Sequence, residues 1–408
     1  MKILFVHQNF PAQFKHLAPK LASLGHSVTA FTLSDAIPPE WHGIKVLRYK
    51  LDRGNTKQIH PWIVDYESKV VRGEACLRFA LGLKAQGYYP DVIIAHPGWG
   101  ESLFLKEVWP DASLKLYCEF YYHTKGFDVG FDAELKSNDP ADFGRVVLKN
   151  SNILLHFEHA DCGITPTNFQ ASSFPAHIRD KLSVIHEGID TKAIRPGGNR
   201  SLRLSDGRTL TRDSEVITYV NRNLEPMRGI HSFLRSVPKI LRERPESTII
   251  IVGQESFSGY GAVSESGKTW KAHFFDEIKK KLDEQQLARI VFCGWLPYET
   301  LSAVYQISTV HVYLTYPFVL SWSLMEAMSA GCAIIGSDTA PVREVIKNGE
   351  TGFLVDFFDA DQLAEQVVDL LTDKSSRKRV AKGARELIES EYDHERVCLP
   401  RQINWALS

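Results

Sequence analysis

Residues 317–356 read PFVLSWSLMEAMSAGCAIIGSDTAPVREVIKNGETGFLVD, and this stretch decides the fold. Leu324, Ala327 and Met328 fall at helical spacing between Ser321 and Ala330, and Gly331 stops the helix. Cys332 to Gly336 is a wholly apolar run, as expected of a parallel strand buried on both faces. A turn, a short helix and a hairpin-like return lead on to Asp356. One residue is out of place in this pattern. Glu326 is a carboxylate inside an apolar helix, beside Met325, Ala327 and Met328. Either it faces solvent, or it is buried and holds hydrogen-bond donors such as a ligand's hydroxyls.

The wider chain fits an α/β protein of more than one domain. Its 408 residues exceed one ordinary core, so two domains are expected. A hydrophobic content of 44% and a charged content of 24% are those of a soluble globular protein. The formal net charge of −1 gives no basic surface for nucleic acid or for an electrostatic membrane anchor. No apolar run approaches the roughly 20 residues of a spanning helix, and the start, MKILFVHQNFP, reads as a first strand and not as a leader. Six cysteines (76, 118, 162, 293, 332 and 398) stand singly with no CxxC, so free thiols in a reducing cytoplasm are expected.

In chain order, a strand from Lys2 to His7, a helix from Pro11 to Gly25 and a strand from His26 to Thr32 open a Rossmann-like unit, whose ligands gather at the carboxyl ends of strands. The first loop, HQNFPAQF, has no glycine, which argues against a backbone phosphate cradle there. Asn9 is expected to cap the helix, with Gln13 facing the ligand side. After a helix over Trp62–Gln86, the strand Asp91–Ala95 ends in HPGWGES and the strand Leu114–Phe120 in EFYYH, making His96 and Glu119 candidates for function. Bridging buried backbone groups is the competing reading for His96, and packing for Tyr121 and Tyr122. Gly126–Pro140 reads as an acidic loop, and Gly197–Asp213 as linker. From Glu215 the alternation resumes: strand, the turn NLEPMRG, helix Ile230–Arg244 and strand Thr248–Gly253. Gln254–Thr269 reads as a loop over a nucleotide, and Trp270–Gln286 as one helix. Asp359 and Asp361 imitate a metal-binding pair, but at a helix start they read as caps.

The run LMEAMSAGCAIIGSD, followed by PVREVI and NGETGFLV, resembles the donor-binding segment of family 4 retaining glycosyltransferases. The resemblance implies the GT-B fold: two Rossmann-like doubly wound domains facing across a cleft. These would be an acceptor domain over 1–196, a donor domain over 197–390, and a last segment, 391–408, crossing back to the first. It implies that Glu326 binds the ribose hydroxyls of a nucleotide-sugar. The family's hexose-contacting glutamate, eight positions earlier, is here Phe318. VNRNLEPMRG is similar to the family's phosphate segment, with Arg222 and Arg228 as the clamp and arginine where lysine is usual. Gly253, Val319, Leu320, Ser321, Ser323 and Leu324 would complete the donor site, with His96 and Glu119 joining the arginines in catalysis. The implied enzyme moves a hexose from a nucleoside diphosphate sugar to a glycan, lipid-linked or protein hydroxyl in polysaccharide or glycoconjugate synthesis. It would need no metal or cofactor, bind no nucleic acid, and sit in the cytoplasm with at most peripheral membrane contact. A nucleotide-sugar epimerase, a phosphorylase using pyridoxal phosphate and a non-catalytic sugar-nucleotide-binding protein are the alternatives.

Overall fold

The computed structural model describes residues 1–136, 139, 141–197, 200–255, 257, 264 and 267–408. Met1–Glu187 with Glu395–Ser408 form one compact unit, and Gly188–His394 form another. The expected boundary at 196/197 therefore lies at 187/188. The chain around Ile189 pairs with Asp393, and the Thr191 hydroxyl bonds to the Asp393 carboxylate, so 188–196 is held by the second unit.

In the first unit, β1 (Lys2–Val6), β2 (Ser27–Thr32), β3 (Glu40–Trp41), β4 (Ile44–Arg48), β5 (Val92–Ala95), β6 (Ser113–Tyr117), β7 (Cys162–Thr165) and β8 (Leu182–Val184) form one sheet in the order β3-β4-β2-β1-β5-β6-β7-β8. The pairs are parallel except the β3–β4 hairpin at the edge. Side chains alternate across the strands. Ile3 and Phe5 pack with Leu17, Leu21 and Trp405 on one face, and Leu4 and Val6 with Cys76 and Ala80 of the helix Val64–Ala85 on the other. Burial on both faces explains why the strands read as continuous apolar runs. Lys115 on β6 donates from Nζ to the Trp405 carbonyl (2.8 Å) and the Ser408 carbonyl (2.6 Å), tying the last helix, Leu399–Leu407, to this sheet.

The second unit has a small antiparallel pair, β9 (Leu202–Arg203) and β10 (Thr209–Leu210), and a parallel sheet. The sheet comprises β11 (Val216–Asn223), β12 (Thr248–Gln254), β13 (Ile290–Gly294), β14 (Val310–Tyr313), β15 (Ala333–Ser337) and β16 (Phe353–Val355), in the order β13-β12-β11-β14-β15-β16. Among the parallel strands of each sheet the order reverses once, between β1 and β5 and between β11 and β14. The carboxyl side of such a reversal is where an open α/β sheet leaves a crevice for ligand.

Local sequence explains three departures from expectation. The helix foreseen from Pro11 is a 3₁₀ turn, Ala12–Phe14, followed by a helix at Leu17–Ser23. Asn9 caps neither; its backbone N–H donates instead to His7 Nδ1 (2.9 Å). The single helix foreseen over Trp270–Gln286 ends at Lys279, and a short one, Glu284–Leu287, begins at an Asp283–Gln286 capping box. Asp359 accepts from the Gln362 N–H (2.8 Å) as the cap of the helix Ala360–Thr372. Residues 256, 258–263, 265 and 266 of the anticipated 254–269 loop lie outside the described residues, as do 137, 138 and 140 of the acidic loop and 198 and 199 of the linker. Among the described residues no helix is long and apolar enough to cross a membrane, and the six cysteines are free.

Candidate functional site

In the second unit, the segments leaving β11 and β14 meet at the sheet's reversal. After β11 a 3₁₀ turn, Pro226–Arg228, ends at Gly229, whose φ of +76° and lack of a side chain let the turn approach β14. A Cβ at 229 would lie 2.4 Å from that of Leu314. The Tyr316 N–H bonds the Met227 carbonyl (2.9 Å), closing the two segments together. Arg228 is buried between them. Its Nη1 donates to Thr315 Oγ1 (2.9 Å) and the Val319 carbonyl (3.0 Å), and reaches the Tyr313 hydroxyl at 3.4 Å. One end of the guanidinium thus fixes the 315–319 loop. Arg222, at the end of β11, is exposed and among the described residues makes no hydrogen bond or ion pair. The two candidate arginines are therefore unlike: one is built into the site and the other extends into solvent.

Phe318 is 2% exposed, with its ring centroid 6.0 Å from the Arg228 guanidinium carbon. Phe318, expected from the resemblance to stand in place of the hexose-contacting glutamate, thus packs inward beside a cation. Leu320 and Leu324 belong to the apolar core, so as side chains they are packing residues, contrary to their expected place in the donor site. Gly253 sits opposite a register shift between β11 and β12, and a Cβ there would meet the Asn221 carbonyl at 2.8 Å and Leu224 at 2.7 Å. Its role in the described structure is close backbone approach. Ser321 caps the helix Trp322–Ser329: its hydroxyl accepts from the Ser323 N–H (3.3 Å) and pairs with the Ser323 hydroxyl (2.9 Å), while its own N–H bonds Tyr313 (2.9 Å). Both serines are half-buried at the positive end of that helix, where an anion is favoured.

Glu326, on the same helix, is 8% exposed, which removes the solvent-facing reading. Tyr298 donates its hydroxyl to Glu326 Oε1 (3.2 Å). Burial, and then the carboxylate itself, push the hydroxyl pKa of both Tyr298 and Tyr305 up, so both stay protonated, Tyr298 as the donor to Glu326. Sequence reasoning missed these two tyrosines. They stand on the helix Tyr298–Ile307, and nothing in its apolar spacing separates them from core residues.

The first unit gathers a second polar cluster at its own reversal. His7 follows β1, His96 follows β5 and Glu119 lies just past β6. The His7 and His96 rings meet edge to face at 5.2 Å. Each Nδ1 accepts a backbone N–H two residues on, Asn9 for His7 (2.9 Å) and Gly98 for His96 (3.1 Å). When neutral, both rings therefore carry their proton on Nε2. Burial, and next His96, lower the His7 pKa to about 3, so this ring is neutral. His96 Nε2 lies 3.7 Å from Glu119 Oε2, and Gln13 Nε2 donates to Glu119 Oε1 (3.3 Å). Tyr117 donates to Glu187, whose other oxygen is 3.6 Å from His186 Nε2. His96 and Glu119 are thus brought together as a pair. His7 and Glu187 were not singled out from the sequence, although His7 obeys the same strand-end rule as His96. Among the described residues no group of three His, Cys, Asp or Glu is placed to hold a metal ion.

Residues 25–194 match the family model for the glycosyl transferase family 4 group, and residues 205–387 that for glycosyl transferases group 1. Spore coat protein SA of Bacillus subtilis is 26% identical over 232 residues, covering 55% of this chain and 58% of that protein, so the chain spans little more than half of this relative's length. The fold is similar to sucrose-phosphate synthase from Thermosynechococcus elongatus, with a TM-score of 0.74 and 17% identity over 99% of this chain and 98% of that one. It is also similar to Anabaena HepE, solved in complex with UDP-glucose, with a TM-score of 0.69 and 16% identity over 100% and 99%.

Proposed function

The chain belongs to the family 4 glycosyltransferases of the GT-B fold, and from that membership we propose that it transfers a hexose from a nucleoside diphosphate sugar to an acceptor hydroxyl, with retention of anomeric configuration and without a metal ion. The observation that carries the reading is that the second unit buries both Arg228, at the sheet reversal, and Glu326, on the helix Trp322–Ser329. A carboxylate with little access to water, at this point of the sheet, suits the vicinal hydroxyls of a ribose. Arg228 and the start of the helix Trp322–Ser329 supply fixed positive charge for a diphosphate.

In the reaction, the bond from the sugar's anomeric carbon to the diphosphate oxygen breaks and negative charge grows on the leaving group. Preorganised cations stabilise that charge more in the transition state than in the ground state. Arg222, unengaged at the end of β11, is the group free to swing onto the phosphates. The acceptor's oxygen attacks on the face the diphosphate leaves, and its proton passes to a leaving phosphate oxygen, so no carboxylate nucleophile is required. UDP-glucose is the first donor to test, because HepE was solved with it. The acceptor is a glycan, lipid-linked or protein hydroxyl, and the setting is cytoplasmic glycan or glycoconjugate synthesis. Phe318 favours one second reading, a sugar-nucleotide-binding protein without turnover, since no carboxylate at 318 holds the hexose.

A thermal-shift panel of UDP-, GDP-, ADP- and dTDP-sugars tests the proposal. One donor at 100 times its dissociation constant stabilises the protein by roughly 2.7 kcal/mol. No shift with any of them overturns the reading.

A further inference from the structure

We infer that Trp99 is the stacking platform of a carbohydrate acceptor subsite, with the Glu119 carboxylate as its hydroxyl-binding partner. This rests on the transferase reading above and narrows its acceptor to a sugar ring, in place of a peptide or a simple polyol. Trp99 is 37% exposed, yet its loop is tied to its neighbours. His96 Nδ1 accepts from the Gly98 N–H, and Asn152 Nδ2 donates to the Pro97 carbonyl (2.7 Å). Gly100, at φ +96°, lies so close to the helix Val64–Ala85 that a Cβ would fall 2.3 Å from the Lys69 carbonyl oxygen. The indole stacks on the His96 ring and leaves its remaining surface open to water. Its ring is fixed in direction, so a ligand that stacks on it loses little ordering entropy.

The neighbours define what fits. The His96 ring is stacked with those of Tyr117 (5.6 Å, 28°) and Trp99 (6.1 Å, 27°), near parallel to both. His96 thus covers one face of the indole, and the exposed surface is the remainder. Glu119 lies 3.7 Å from Nε2 of the same His96 ring, its carboxylate also approached by Gln13 Nε2 and still partly exposed. An apolar plane beside an oriented carboxylate matches a pyranose, which has a face of C–H bonds and a rim of hydroxyls. A peptide hydroxyl or glycerol offers the rim without the face.

Saturation-transfer NMR on the full chain, with methyl glucoside, methyl mannoside and methyl N-acetylglucosaminide as probes and glycerol as control, tests this. At least one glycoside is expected to bind through its ring C–H face. Trp99→Ala should weaken it about tenfold, roughly the 1.4 kcal/mol of a lost aromatic contact, and Trp99→Phe less. Wild-type glycoside affinity in Trp99→Ala, equal response to glycerol, or no glycoside binding by the wild type each overturns the inference. UDP titrated calorimetrically into the same samples separates the failures. UDP binding without glycoside binding removes only this subsite, whereas the loss of both removes the transferase reading with it.

Discussion

Glu326→Gln isolates the charge proposed to hold the ribose. The amide keeps one carbonyl acceptor, so the Tyr298 hydroxyl, 3.2 Å from Oε1, keeps a partner. With the side chain 8% exposed and its shape unchanged, the fold should tolerate the change, since a neutral amide costs less to bury than a carboxylate. What is lost is one charged acceptor for ribose. Hydrogen bonds to charged groups contribute about 1.5–3 kcal/mol each, so UDP should bind roughly 10- to 150-fold more weakly. Calorimetry with UDP and with 2′-deoxy-UDP, on wild type and variant, forms a double-mutant cycle between side chain and ligand. The penalty of Glu326→Gln should shrink with the deoxy ligand, because part of the interaction is already gone. Equal losses for both nucleotides, or none for either, would refute the assignment.

Arg228→Ala removes the Nη1 bonds to Thr315 Oγ1 and the Val319 carbonyl together with the charge proposed to face the diphosphate, so turnover should drop tenfold or more while UDP affinity falls less; equal losses in kcat and in UDP affinity would argue for a purely structural arginine. Phe318→Glu places a carboxylate beside the Arg228 guanidinium, which should draw that group away from the 315–319 loop and lower transfer. A donor panel showing raised transfer by a folded Phe318→Glu protein would contradict this. Acidification should destabilise the fold through its buried histidines. Burial, the largest cause for each, lowers His7 and His311 to about 3 and His156 and His186 to about 4. For a base whose folded pKa is depressed, the unfolded chain binds the extra proton, so stability is present above pH 6.5 and is lost as pH falls from there toward 3–4, by up to about 1.4 kcal/mol per pH unit for each ring. Calorimetric melting should fall steeply below pH 6.5, and a flat Tm down to pH 4 would exclude it.

The fold was legible because a doubly wound sheet leaves strong marks. Its strands are buried on both faces and read as apolar runs such as KILFV and AIIGS, separated by helical spacing. Glu326 was legible for the opposite reason, as a charge where the pattern demands an apolar residue. Less visible was anything decided by a side chain's direction. Arg222 and Arg228 look equivalent in sequence, and only the turn at Pro226–Arg228 buries one and leaves the other exposed. Phe318 could face ligand or core, and its burial depends on the loop path from β14 that Arg228 fixes. The resemblance places Leu320 and Leu324 in the donor site, but the loop before the helix Trp322–Ser329 turns Leu320, and the helix itself turns Leu324, into the core. The unit boundary was misplaced by nine residues because Ile189 pairs with Asp393, a contact over two hundred residues long that no local pattern announces.

The most direct test of the whole account is the product of a single reaction. The protein is incubated with UDP-glucose and a methyl glycoside acceptor, UDP release is followed, and the new linkage is assigned by proton NMR. The account expects acceptor-dependent release of UDP and an α-linked product from the α-linked donor. A β-linked product would contradict retention. Donor binding with no acceptor-dependent release, across acceptors and nucleotide-sugars alike, would contradict the transferase itself.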